Sequence, residues 1–306
     1  MKGVDLFAGA GGTSTGASQG GVEIVWAANH NALAVEYHAK NHPTTQHVCQ
    51  DLHQADWSKL PEHDIVYASP CCQGHSRAAG RTKRSKKADA SRSTAWAVVS
   101  CLEAGEAQFA VIENVPDFLK WNLYPAWEMA IKALGYSLSY NIINAADIGA
   151  PQSRTRLILV ATRSANPLEL NLIPDELRTA RDIIDLNFDN NKWDLVSNKV
   201  AATQRRVENG RKRFGKDAIF LDASYGSEKG GRSLDKPIGA ITTVNHHYVV
   251  HGEHIRPITL AEKSAAQTFP SDYLWPSKVT EAKRMIGNAV PPLLAKKVTE
   301  AILRAA

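Results

Sequence analysis

Short apolar runs alternate with longer amphipathic stretches in the first half of the chain. The apolar runs predict six β-strands, near residues 2–6, 23–28, 65–68, 110–113, 137–143 and 156–161. The stretches with helical period predict helices over 12–20, 31–41, 94–106 and 123–134. Strands that alternate with crossover helices favour a parallel sheet, so this half is expected to be a doubly wound α/β domain.

The pattern changes after Thr162. Polar and charged residues interrupt the apolar positions until about His254, which indicates a second, smaller domain of irregular β character. A helical period returns at Thr259, and two prolines at 291 and 292 precede a final predicted helix over 293–304. The predicted domains are therefore 1–162 with 256–306, and 163–255.

Composition narrows the class of protein. With 306 residues, of which 43% are hydrophobic, the chain can bury a full core. It contains no apolar run near the roughly 20 residues that span a bilayer, and Lys2 and Asp5 argue against a secretory signal. Four cysteines, with no Cys-x-x-Cys pair, form neither a disulfide framework nor a zinc knuckle. We expect an intracellular protein.

The positive charge is concentrated in two places. Residues 77–92 and 199–216 each carry seven Lys or Arg residues against one acid, in a chain whose net charge is only +5. One such run alone is typical of a solvated surface. Two runs, one of them starting five residues after a candidate nucleophile, favour a nucleic acid held at two places.

A glycine-rich turn follows the first predicted strand. Gly9, Gly11 and Gly12 stand where a ligand can approach the backbone at the positive end of the first helix. Nicotinamide oxidoreductases share such a turn, and many tight turns bind nothing. The acid expected at the end of the second strand is replaced by Asn29, and Asp51 suits either an adenine amino group or a turn cap.

Three polar segments follow predicted strands and carry candidate chemistry. Cys72 lies just after strand 65–68, where the cationic stretch from Arg77 favours a reactive thiolate, although free cysteines are more often inert core residues. Glu113 follows a buried apolar strand, where a carboxyl is costly unless it is paired or used as an acid. Arg154 and Arg156 alternate onto one side of a strand and suit a base carbonyl, a carboxylate or a salt bridge.

These elements, in this order, resemble the C5-cytosine DNA methyltransferase family. The ordered signatures are residues 5–12, 70–73, 113–115, 152–156, 256–270 and 287–292. The resemblance covers almost the whole chain apart from the middle domain. It implies an α/β fold with a Rossmann-like S-adenosylmethionine-dependent methyltransferase sheet, and a smaller, irregular β-rich target recognition domain over 163–255.

The resemblance also implies a reaction. Cys72 would add to C6 of a cytosine turned out of the double helix, and Glu113 would bind the N3 edge of the ring. Arg156 would hold O2, and Arg154 would support the site. S-adenosylmethionine would donate the methyl group and leave as S-adenosylhomocysteine, with no metal required.

The remaining assignments fall into two sets. The cofactor set is Phe7, Ala8, Gly9, Gly11, Gly12, Asn29, His30, Asp51, Leu52, Pro70, Asn288 and Ala289. The nucleic-acid set is Ser76, Arg77, Arg81, Lys83, Arg84, Arg92, Arg205, Arg206, Arg211 and Arg213.

Three positions depart from the family pattern: Cys71 replaces a proline, His75 an apolar aromatic residue, and Asn29 an acid. Cys72 is preferred to Cys71 as nucleophile because it keeps the Cys-Gln pair. The expected partner is double-stranded DNA, and a cognate restriction endonuclease is compatible with the pattern. We expect a monomer, with no membrane contact, in the cytoplasm near the nucleoid of a bacterium or phage-infected host. A transfer RNA methyltransferase and a catalytically silent DNA-binding homologue remain alternatives.

Overall fold

The computed structural model describes residues 1–70, 94–224 and 230–306. Contacts divide the chain into two compact units. Unit 1 consists of Met1–Asn144, Thr155–Pro174 and Ala289–Ala306, and unit 2 consists of Ala145–Arg154 and Asp175–Asn288.

Unit 1 contains strands and helices in alternation. Its strands are β1 (Lys2–Leu6), β2 (Glu23–Asn29), β3 (Gln46–Cys49), β4 (Ile65–Ala68), β5 (Phe109–Asn114), β6 (Ser137–Asn144) and β8 (Thr155–Thr162). Its helices are α1 (Gly12–Gln19), α2 (Ala32–Asn41), α3 (Trp96–Ala104), α4 (Tyr124–Ala133) and α8 (Pro292–Ala305).

The strands of unit 1 form one seven-stranded sheet in the order β3-β2-β1-β4-β5-β8-β6. The five strands from β3 to β5 are parallel, whereas β8 is antiparallel to both β5 and β6. Ten residues separate β6 from β8 and contain no long helix, so β8 returns beside β6 in the opposite direction. The α/β expectation is confirmed as a Rossmann-like fold, with one antiparallel strand in a sheet that was expected to be parallel.

Small residues let the last helix pack onto the first. A Cβ atom placed on Gly16 of α1 would lie 2.1 Å from the carbonyl oxygen of Pro292, so only glycine fits there. The hydroxyl groups of Tyr67, in β4, and Thr299, in α8, are 2.8 Å apart. Helix α8 therefore belongs to the core of unit 1 although it ends the chain.

Unit 2 contains shorter elements. Its strands are β7 (Gln152–Ser153), β9 (Asp194–Leu195), β10 (Ile219–Ala223), β11 (Ile238–Gly239), β12 (His247–His251) and β13 (His254–Pro257). Its helices are α5 (Ala201–Phe214), α6 (Leu260–Ala266) and α7 (Val279–Asn288).

Four strands of unit 2 form an antiparallel sheet in the order β10-β12-β13-β9, and β7 pairs with β11 in parallel. Helix α5 packs on this sheet through Val207 and Gly210, and the Gly210 Cα faces the ring of Phe220. The sequence interpretation did not predict this helix. Unit 2 also contains α6 and α7, whereas the domain boundaries predicted from the sequence assign these helices to the first domain. The recognition domain over 163–255 stays a prediction.

Candidate active site

The glycine turn between β1 and α1 has the backbone geometry of a close ligand contact. Phe7, Gly9 and Gly11 all have positive φ angles, of 63°, 54° and 83°. The amide of Gly11 donates to the Ala8 carbonyl at 2.8 Å, which tightens the turn just before the first residue of α1. Phe7, Ala8 and Gly9 are partly exposed, whereas Gly11 and Gly12 are buried. A polar ligand can therefore approach the backbone at the positive end of α1.

A buried polar network lies directly behind this turn. The Asp5 carboxylate is fully buried and accepts a 2.6 Å hydrogen bond from the Ser14 hydroxyl. Ser14 Oγ is 2.9 Å from His38 Nε2, and His38 Nδ1 is 2.8 Å from His47 Nε2. Burial raises the pKa of Asp5 to about 7, while hydrogen bonds from Ser14 partly oppose this rise. The sequence analysis missed the network, because its histidines lie on a helix and an edge strand.

Two further side chains connect the network to the turn. The Thr15 hydroxyl donates to the Gly11 carbonyl at 2.7 Å and lies 3.2 Å from His42 Nε2. Burial, followed by the charge of His47, lowers the pKa of His42 to about 4. Burial and the two neighbouring histidines lower the pKa of His38 well below its usual range.

Other residues of the predicted cofactor set lie at the end of β2 and just after β3. Asn29 is partly exposed and its side-chain oxygen accepts from the amide of Asn31, at 2.9 Å, while His30 is exposed. Asp51 is exposed and caps a short 3₁₀ helix by accepting from the His53 amide at 3.0 Å. Leu52, beside it, is buried. The Asp51 cap leaves a carboxylate at the surface that can still accept a further hydrogen bond.

Glu113 and Arg156 meet at the edge of the sheet. Glu113 is near the end of β5 and Arg156 near the start of antiparallel β8, and Arg156 Nε lies 2.7 Å from Glu113 Oε1. Each side chain is 15% exposed. A second guanidinium nitrogen of Arg156 donates to the Thr155 carbonyl at 2.8 Å. The pair is thus held in one orientation and remains open to solvent on one side.

Asn114 connects this pair to the segment that precedes Cys72. The buried Asn114 amide donates to the carbonyl of Pro70 at 3.2 Å, and its oxygen accepts from the Val115 amide at 2.9 Å. Pro70 is buried. The segment that follows β4 is therefore fixed to the end of β5 at Pro70, which stands two residues before Cys72 in the sequence.

Several predicted residues lie outside the described part of the chain. They are Cys72, Ser76, Arg77, Arg81, Lys83, Arg84 and Arg92, together with the departures Cys71 and His75. Their assignments stay predictions.

Arg154 is a buried residue of unit 2. It donates to the carbonyls of Ile241 and Gly287 at 2.9 and 3.1 Å. Gln152 accepts from the Ile241 amide at 2.6 Å and donates to Gln267 Oε1 at 2.8 Å. These bonds hold the segment after β11 and the end of α7 to the short segment 145–154, and the supporting role of Arg154 in the site stays a prediction. Sequence reasoning gave Gln152 no role of its own.

The basic residues of α5 divide into two groups. Arg206 bonds twice to the fully buried Asp222, at 2.9 Å each, and Arg211 donates to the Gly252 carbonyl at 2.8 Å. Arg205 and Arg213 are exposed. The first group stabilises unit 2, and the second is accessible to a polyanion.

Asn288 and Ala289 are the last two residues of the predicted cofactor set. Asn288 is exposed at the end of α7 in unit 2, and Ala289 is buried at the start of the last segment of unit 1.

Within the described ranges, no helix is long and apolar enough to cross a membrane. The same ranges contain no cluster of three or more His, Cys, Asp or Glu side chains arranged to hold a metal.

Comparison with known proteins decides the family. Residues 1–304 match the C-5 cytosine-specific DNA methylase family. The chain belongs to this family. Accordingly, the protein is an S-adenosylmethionine-dependent DNA (cytosine-5-)-methyltransferase, as the sequence signatures implied.

The relatives are methyltransferases, and the match covers most of the length of both proteins. The chain is 28% identical to the Type II methyltransferase M1.HphI of Haemophilus parahaemolyticus, over 98% of this chain and 86% of that protein. It is 30% identical to M.HgiDI of Herpetosiphon aurantiacus, over 96% and 92% of the two chains. The fold is similar to that of a DNA modification methyltransferase encoded within an E. coli prophage, with a TM-score of 0.73 and 20% identity over 100% and 99% of the chains. A Spodoptera frugiperda DNMT2 variant gives a TM-score of 0.68 at 17% identity, over 99% of both chains.

Proposed function

We propose that this methyltransferase modifies C5 of a cytosine that it turns out of duplex DNA, through a transient bond between Cys72 and C6. The Glu113 to Arg156 ion pair is the observation that carries the proposal. It presents a carboxyl and a guanidinium at the carboxyl edge of the sheet, where α/β enzymes bind ligands. Asn114 binds the carbonyl of Pro70, which stands two residues before Cys72 in the sequence.

Each residue has a defined step. The Cys72 thiolate adds to C6 and makes C5 electron-rich, while Glu113 binds the N3 edge and Arg156 holds O2. S-adenosylmethionine supplies an electrophilic methyl group when bound and leaves as S-adenosylhomocysteine. Loss of the C5 proton then breaks the bond between C6 and sulfur and releases Cys72.

The glycine turn fits the cofactor. Its positive φ angles and the accessible Phe7 to Gly9 backbone suit a close approach by the methionine part at the start of α1. We assign the contacts at the ribose and adenine to Asn29, His30, Asp51 and Leu52. Pro70, Asn288 and Ala289 complete the proposed cofactor set.

The basic segments provide the proposed DNA contacts. Extrusion of a base costs a few kcal/mol, which phosphate and groove contacts offset. Residues 77–92 are proposed to close over the DNA, and exposed Arg205 and Arg213 to contact phosphates within the recognition domain. Arg206 and Arg211 contribute mainly by holding α5 in place.

Trapping tests the covalent step. Duplex DNA that contains 5-fluorocytosine should give a stable adduct with the wild-type protein, because fluorine at C5 prevents the release of Cys72. Cys72→Ala should form no adduct, and Cys71→Ala should form it normally. An adduct that depends on Cys71 instead would show that the nucleophile is misassigned, and methyl transfer to transfer RNA alone would overturn the DNA substrate.

The biological setting is proposed from the relatives, which are Type II enzymes. We propose a monomer that acts on the DNA of its host in the cytoplasm and shares its site with a cognate endonuclease. Bisulfite sequencing of DNA from cells that express the gene would give the modified sequence. Cleavage of only unmodified DNA by a neighbouring gene product would test the partnership.

A further inference from the structure

Two histidines of α2 face the first turn of α1 in unit 1. His38 and His42 are four residues apart, so they lie on one side of α2, and their ring centroids are 4.5 Å apart. His38 Nε2 is 2.9 Å from the Ser14 hydroxyl oxygen, and His42 Nε2 is 3.2 Å from that of Thr15. Each imidazole thus contacts one of two consecutive hydroxyl groups of α1.

Both hydroxyl groups connect to the ends of the glycine turn, residues 7–11. Ser14 donates to the Asp5 carboxylate at 2.6 Å, and Thr15 donates to the Gly11 carbonyl at 2.7 Å. Asp5 lies in β1 just before the turn, and Gly11 is the last residue before α1. The side chains of residues 14 and 15 are buried, so they hold the turn from inside unit 1.

The directions of the hydrogen bonds specify the tautomer of His38. When Asp5 is ionised it can only accept, so Ser14 donates to Asp5 and accepts from His38 Nε2. His38 Nδ1 then carries no hydrogen and accepts from His47 Nε2, 2.8 Å away. Burial, followed by the charges of His42 and His47, lowers the pKa of His38, which keeps the imidazole in this neutral form.

The bonds at Thr15 have the same directions. Because the Thr15 hydroxyl donates to Gly11, it accepts from His42 Nε2. The amide of Thr15 donates to the same Gly11 carbonyl at 2.8 Å. A threonine in a helix commonly bonds to the carbonyl four residues earlier, and such a bond requires no imidazole. The contact with His42 is therefore an addition that the helix itself does not need.

Packing between α1 and α2 does not require two histidines either. Leucine at positions 38 and 42 would fill the space without the cost of removing polar groups from water. His38 is only 1% exposed, so its hydrogen bonds mainly offset that cost. An imidazole differs from leucine in that it orients a hydroxyl group, and here each oriented group bonds to one end of the glycine turn.

We propose that the two histidines position the glycine turn for the cofactor, acting through the hydroxyl groups of Ser14 and Thr15. This rests on the proposed function, which places S-adenosylmethionine at that turn. With both ends held, the backbone keeps the conformation that the cofactor meets, and less binding energy is lost in ordering it. Neither histidine touches the cofactor in this role.

Cofactor binding and steady-state kinetics test the proposal. His38→Leu and His42→Leu should each raise the Kd of S-adenosylhomocysteine and the KM for S-adenosylmethionine about 5- to 10-fold, the effect of one lost hydrogen bond. The kcat and the KM for duplex DNA should change less than about twofold, because the reacting groups are unaffected. His38→Gln and His42→Gln should restore wild-type binding, since an amide nitrogen can replace Nε2 as donor.

A matched control and a double-mutant cycle show whether the effect passes through the hydroxyl groups. His63→Leu removes a partly buried histidine at the amino end of β4 and should leave the Kd unchanged. Thr15→Val should weaken binding as much as His42→Leu, and the double variant should bind no worse than either. Ser14→Ala should behave in the same way with His38→Leu. Additive losses would overturn the proposal.

The outcomes separate the two proposals. If the wild type binds S-adenosylhomocysteine and methylates duplex DNA but the leucine variants keep its Kd, the histidines are only structural and the proposed function stands. If the wild type does neither, the proposed function itself fails. A lower kcat at an unchanged KM for S-adenosylmethionine would also overturn the positioning role. Melting temperatures show whether the variants fold. Ser14→Ala or Thr15→Val replaces a leucine variant that does not, with the same required change in Kd.

Discussion

At the scale of single residues, the Glu113 to Arg156 pair connects stability and chemistry. The two side chains are 2.7 Å apart and mostly buried, so each fixes the position of the other. The guanidinium keeps the carboxyl at the sheet edge, and in the proposed reaction this carboxyl binds the N3 edge of the base and exchanges a proton with it.

We therefore expect Glu113→Gln to lower kcat by about 10²- to 10⁴-fold, because the amide cannot exchange that proton. Methyl transfer from labelled S-adenosylmethionine to duplex DNA measures the change. The exposed control Glu103→Gln should keep wild-type activity. Stabilisation by S-adenosylhomocysteine should persist in both variants, and a nearly active Glu113→Gln would remove this carboxyl from the mechanism.

The same scale shows what the sequence could predict about the site. Glu113, Arg154, Arg156 and the glycine turn were identified, because family signatures mark them. Asp5 and Gln152 also stand in those signatures, but their hydrogen bonds, including the network of Asp5 with Ser14 and three histidines, were not predicted. Their partners are 9 to 115 residues away in the chain, and no local pattern records such a distance.

At the scale of elements, the contact between α1 and α8 needs glycine at positions 16 and 20, and position 16 is the tighter of the two. A Cβ atom at position 16 would also lie 2.7 Å from the Ala295 Cβ. Gly16→Ala should lower the free energy of unfolding by about 1–3 kcal/mol, because overpacking outweighs the gain in helix propensity.

Thermal unfolding measures this effect. Ser18→Ala, on an exposed position of the same helix, should change the free energy of unfolding by less than about 0.5 kcal/mol. An unchanged melting temperature for Gly16→Ala would contradict the close approach of the two helices.

The strands and helices of unit 1 were predicted well, since their apolar periods are strong. The edge strand β3 was missed: its sequence Gln-His-Val-Cys is partly exposed and shows no apolar run. Helix α5 was missed because only Val207 and Gly210 are buried along its 14 residues. The antiparallel direction of β8 depends on its partner strands, and the sequence of a strand alone does not specify direction.

At the scale of the whole molecule, the buried histidines make stability depend on pH. Their pKa values are lowered in the folded state, so unfolded histidines bind protons below about pH 6.5 while His42 resists protonation until about pH 4. Stability is therefore lost as the pH falls through this range. Asp5, with a pKa of about 7, acts oppositely, because its buried carboxyl favours the folded state at low pH.

The wild type loses stability between pH 6.5 and 4. We expect this loss to be about 3 kcal/mol smaller in His42→Gln, because the variant lacks the imidazole that is protonated more readily in the unfolded state. Asp5→Asn should instead make the acid loss steeper, because it removes the opposing group. Urea unfolding at several pH values measures both. If the stability of the wild type and of His42→Gln depends on pH in the same way, the pKa of His42 is the same in the folded and unfolded states, and the expectation is wrong.

The chain passes between its two units four times, at 144/145, 154/155, 174/175 and 288/289. The ten residues of the first excursion carry Gln152 and Arg154, which bond to Ile241, Gln267 and Gly287. A chimaera in which only 175–288 is replaced by the matching segment of a relative would not include Gln152 and Arg154 of that relative. A chimaera designed to change sequence preference must therefore include 145–154 as well, or preserve the backbone and side-chain groups to which Gln152 and Arg154 bond.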